Sequence, residues 1–102
     1  MQTRVEFKSR AFLKYPNEDE ETVNETRWGK CLAEYVRDNL PNYGLPTEDI
    51  LCEYWGWLVY VHNEDFPLWI GCSPMEDFVD EPPKADDLIE FSLFVTAEPK
   101  LL

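Results

Sequence analysis

The chain has 102 residues and carries 21 Asp and Glu against 9 Lys and Arg, a net charge of −12 at neutral pH. That length suits one domain with a single hydrophobic core, and a hydrophobic content of 44% with 15% aromatics excludes an acidic disordered tail. No apolar run approaches the roughly 20 residues of a membrane-spanning helix, and the opening MQTRVEFKSR lacks the apolar core of a secretion signal, so the expectation is one cytoplasmic domain over residues 1–102.

In chain order, Thr3 to Ala11 alternates Val5, Phe7 and Ala11 with Arg4, Glu6, Lys8 and Arg10, the pattern of a strand with one wet face. Glu18, Asp19, Glu20 and Glu21 follow Pro16 and Asn17 as an acidic loop. A helix is predicted next, starting near Thr22, Asn24 or Thr26, with Glu25 placed as in a capping box. Its apolar face is Trp28, Leu32, Tyr35, Val36 and Leu40, and Pro41 ends it. From Leu51 to His62 both alternating faces are apolar, which predicts a central strand covered on both sides. It is joined through Asn63 to Pro67 to a second strand, Leu68 to Cys72. If His62 stands opposite Leu68, Tyr60 faces Ile70 and Leu58 faces Cys72. Ser73, Pro74 and Glu76 then supply the N-cap, first-turn proline and capping acid of a short helix, and Leu88 to Ala97 is the last strand. The predicted fold class is α+β: a two-layer sandwich with a four-stranded, mostly antiparallel sheet, one main helix and one short helix, in the order β, α, β, β, α, β. Strand order stays open, with the first strand either paired at an edge or parallel to a neighbour.

Few residue patterns point to chemistry. Cys31, Cys52 and Cys72 are an odd set at wide spacings, unlike a disulfide framework, and with His62 they lack the close C-x-x-C pairs of a zinc motif. They read as reduced, packing thiols. A thiol and base pair of Cys72 and His62 falls ~13 Å apart along the hairpin, out of hydrogen-bond reach. Asn17 to Glu21 offers oxygen ligands but lacks the glycine and terminal acid of an EF-hand loop, and Glu53 has no paired carboxylate assignable from spacing. Gly56 and Gly71 are single glycines within strands, where they mark a bulge or a close backbone approach. No metal, cofactor or catalytic residue is assigned.

Charge carries the functional expectation. Residues 18–25 hold five acids and no base, and residues 76–90 hold seven against Lys84 alone. Such density repels nucleic acid and anionic membranes and favours a basic protein partner. The expected function is a non-enzymatic inhibitor or adaptor that binds a basic, nucleic-acid-handling protein through Glu18, Asp19, Glu20, Glu21, Asp77, Asp80, Asp86 and Asp87. The same charge also serves solubility. An alternative is a small-ligand site or minor enzyme lined by Trp55, Trp57 and Trp69. E-x-W-G-W at Glu53 to Trp57 with L-W-I-G-C at Leu68 to Cys72 resembles a pattern in small uncharacterised bacterial proteins and implies a bacterial, phage or mobile-element origin. In size and acidity the chain is similar to immunity proteins of nuclease toxins and to anti-CRISPR or anti-restriction inhibitors.

Overall fold

A computed structural model describes residues 2–22, 28–62, 67–75 and 88–97. Five strands, β1 (Gln2–Ser9), β2 (Thr47–Glu53), β3 (Gly56–Val61), β4 (Leu68–Pro74) and β5 (Ile89–Ala97), form one sheet in the order β1-β5-β4-β3-β2. Every neighbouring pair is antiparallel. The one α-helix among the described residues, α1 (Lys30–Asn39), packs against β2, β3 and β4.

Burial follows the alternation. On the helix side, Phe7, Trp57, Val59, Ile70, Cys72, Phe91 and Leu93 meet Trp28, Leu32, Ala33 and Val36. Leu32 and Val36 lie four apart on one face of α1, so both reach the sheet. Phe91, fully buried, stacks on Phe7 at 5.7 Å between ring centroids and meets the edge of Trp28 at the same distance.

Four expectations are corrected. The sheet has five strands, because the run from Leu51 to His62 is two: a two-residue turn at Tyr54 and Trp55 folds β2 back on β3, with Glu53 opposite Gly56. The predicted short helix loses its start, since Ser73 and Pro74 are the last residues of β4, and the amide of Met75 still donates to the Glu90 carbonyl at 2.8 Å. The rest of that predicted helix lies outside the described residues. The helix begins at Lys30 with Gly29 as its N-cap, and Pro41 falls in a 3₁₀ turn, Leu40–Tyr43, just beyond its end. Finally, β3 and β4 pair one residue out of the expected register: Val61 faces Leu68, Tyr60 faces Trp69 and Trp57 faces Cys72. A one-residue shift changes which side chains are cross-strand neighbours, and it sets Tyr60 beside Trp69. The first strand takes the edge position, beside β5.

Two glycines in the sheet admit close neighbours. Gly56 has φ +153°, and a Cβ there would stand 2.6 Å from the Cys72 carbonyl oxygen. At Gly71 the space a Cβ needs is filled by the Phe94 ring. Both positions therefore require glycine for local packing.

Candidate functional site

The acidic loop divides. Glu18 opens a 3₁₀ turn, Glu18–Glu20, and is fully buried. Its Oε2 accepts hydrogen bonds from the amides of Gly29 and Lys30 at 2.8 and 3.1 Å and from the Trp57 indole at 3.0 Å, while Oε1 accepts from the Tyr15 amide at 3.2 Å. The carboxylate thus caps α1 from a distant loop, where helix-end amides lack intrahelical partners and favour negative charge. Glu18 is removed from the candidate contact residues because its oxygens face inward. Glu20 is exposed, and Glu21 is exposed but pairs with Lys30 at 2.6 Å. Asp19 lies in the turn with its side chain outside the described residues, as do Asp77, Asp80, Asp86 and Asp87 entirely.

The three tryptophans do not line one pocket. Trp57 belongs to the buried cluster under α1, with Lys30 Nζ 5.7 Å from its ring centroid. Trp55 and Trp69 stack at 5.6 Å on the opposite face, with Phe94 4.9 Å from Trp55 and 5.7 Å from Trp69. Arg4 lies over the Phe94 ring, 5.8 Å from its centroid. Alternation separates Trp57 from Trp69, and the turn at Trp55 carries that ring across the sheet.

Sequence reasoning missed the edge strand β2. Thr47 pairs with Val61 and Ile50 with Val59, so Glu48 and Asp49 share the position opposite Tyr60. This is a β-bulge, an extra residue that re-aims side chains. It gathers Glu48, Asp49, Ile50, Leu51 and Tyr60 around an open concavity of about 520 Å³. Leu51 is 45% exposed and Tyr60 37%, so apolar and aromatic surface lies beside two carboxylates. The Thr47 hydroxyl donates to the Arg37 carbonyl at 2.7 Å, which ties the start of the bulge to α1. Asp49 is also close enough to Arg37 to favour its charged form, behind the stronger effect of the Asp38 hydrogen bond. His62 Nδ1 stands 3.8 Å from Glu48 Oε1, both exposed. Two adjacent acids breaking the alternation of T-E-D-I-L-C-E were the available signal in the sequence.

The thiols sit apart, on α1, β2 and β4. Burial pushes the Cys72 thiol up to about 12, the environment of an inert thiol. Among the described residues no three His, Cys, Asp or Glu side chains converge as metal ligands, and no helix is long and apolar enough to cross a membrane. No protein-family model, curated protein or solved structure matches the chain.

Proposed function

We propose that this protein is a non-enzymatic inhibitor or adaptor that binds a basic, nucleic-acid-handling protein through its acidic surface. The observation that supports this is the concavity at β2, where Glu48 and Asp49 flank exposed Leu51 and Tyr60. Carboxylates beside an aromatic ring suit a lysine or arginine side chain, which gains ionic pairing and a cation–π contact together. The chain's net charge of −12 adds a long-range field that speeds encounter with a positive partner. A phosphate-binding surface on the partner is a natural target, since it is built to hold negative charge.

The test begins with cross-linking and purification of the partner from the source cell. Association rates are then measured for the native chain and for the double variant Glu48→Gln, Asp49→Asn across a salt series. The expected result is association slowed about threefold or more at low salt, with a flatter salt dependence, since exposed charges are screened beyond ~8 Å at physiological ionic strength. Unchanged rates, or a partner whose binding ignores salt, overturn the reading.

A further inference from the structure

We infer that the outer edge of β2 takes an extended, basic segment of the partner as a sixth strand. This rests on the basic-partner reading above and specifies how that partner is held. β2 ends the sheet, and no described element pairs with its outer side. The amide of His62 donates to the Pro46 carbonyl at 2.8 Å, so the adjoining Thr47 turns its own N–H and C=O away from β3. Counting from the two-residue turn, Glu53 and Leu51 bond to β3 and Ile50 also directs its backbone outward. Backbone groups of Thr47 and Ile50 are therefore aimed at the place an added strand would occupy, the geometry of recognition by strand addition.

The side chains specify what that strand carries. Leu51 and Glu53 share one face, two residues apart, and the bulge sets Glu48 and Asp49 beside Tyr60 next along the edge. The row reads acid, apolar, acid. An added strand presents alternate residues to it, so the favoured pattern is basic, any, apolar, any, basic. Acids and a bulge at an edge also discourage pairing between copies of this chain, because the incoming β2 would bring like charge.

The probe is the blocked peptide Thr-Lys-Thr-Leu-Thr-Lys-Thr, with one version carrying Glu for both lysines and two versions N-methylated at alternate amides, one for each edge. Binding is followed by amide shifts of the native chain and by slowed amide exchange at Thr47 and Ile50. The parent peptide should bind and the Glu version should not. Methylation of one edge should weaken binding about tenfold through lost backbone hydrogen bonds, while methylation of the other should leave it within twofold. The variant Glu48→Gln, Asp49→Asn, with an unchanged circular dichroism spectrum, should also weaken the parent peptide. Equal binding by both methylated versions overturns strand addition while leaving a charge-based contact with the basic partner. No binding of the parent at millimolar concentration overturns it too, and the basic-partner reading is then judged by the salt-dependent association of the whole partner.

Discussion

The Glu18 carboxylate accepts the indole N–H of Trp57 at 3.0 Å, joining the loop after β1 to strand β3. The same oxygen holds the first amides of α1, so loop, helix and sheet meet at one side chain. Removing it leaves buried donors unpaired, each costing about 1–3 kcal/mol. Glu18→Ala should therefore lower unfolding free energy by at least about 2 kcal/mol in urea titration. Glu18→Gln should cost less, because one amide oxygen still accepts while its NH2 opposes the Tyr15 amide. A loss below about half a kcal/mol for the alanine variant would show that water replaces the carboxylate.

Leu32 is 1% exposed at the centre of the face α1 turns to the sheet. Leu32→Ala deletes buried methyl groups and leaves a cavity, with an expected cost of about 2–5 kcal/mol. Chemical denaturation with an unchanged slope against denaturant would assign that loss to stability alone. Tyr35→Ala, on the exposed side of the same helix, is the matched control.

Cys72 sets a pH dependence. In the folded chain its thiol keeps its proton to about 12, against an ordinary value of 9.0. The unfolded chain releases that proton first, so this contribution is fully present below the ordinary value and is lost as pH rises toward the folded one. Tyr15, held up chiefly by its hydrogen bond to Glu34, acts in the same direction. Thermal midpoints should fall from pH 8 to pH 11, and Cys72→Ala should start lower yet fall less. Parallel curves for the two proteins would remove Cys72 as a cause. At pH 8 a thiol reagent should modify Cys31 and Cys52, both half-buried, before Cys72.

The Phe94 ring occupies the place a side chain at Gly71 would need. Gly71→Ala should displace that ring and cost about 1–3 kcal/mol by overpacking. Because Phe94 packs against both Trp55 and Trp69, the near-ultraviolet circular dichroism should change as well. Adding Phe94→Leu should recover part of the loss by giving the methyl group room. No recovery would place the strain in the backbone.

Three strands were legible in the sequence: β1, β4 and β5 match their predicted stretches to within two residues. The turn between β2 and β3 was not, because Tyr54 and Trp55 are strand-forming residues and Gly56 sits inside an apolar run. Register between β3 and β4 was not readable either, as both strands are apolar on two faces and a one-residue slip leaves the pattern intact. Glu18 was hidden among four consecutive acids, where nothing local distinguishes the one that turns inward. The bulge at Glu48 and Asp49 escaped for a related reason: an extra residue erases the period by which a strand is recognised.

The position of β5 between β1 and β4 has a consequence for synthesis. Among the described strands β1 pairs with β5 alone, so β1 leaves the ribosome and waits while nearly ninety residues follow. Throughout that interval Phe7 has no Phe91 to stack on. Pairings this distant in sequence close slowly and leave apolar strand surface open to association. Arg4, Glu6 and Lys8, alternating along β1, put charge on the waiting strand, the kind of residue that keeps an unpaired edge from sticking to its neighbours.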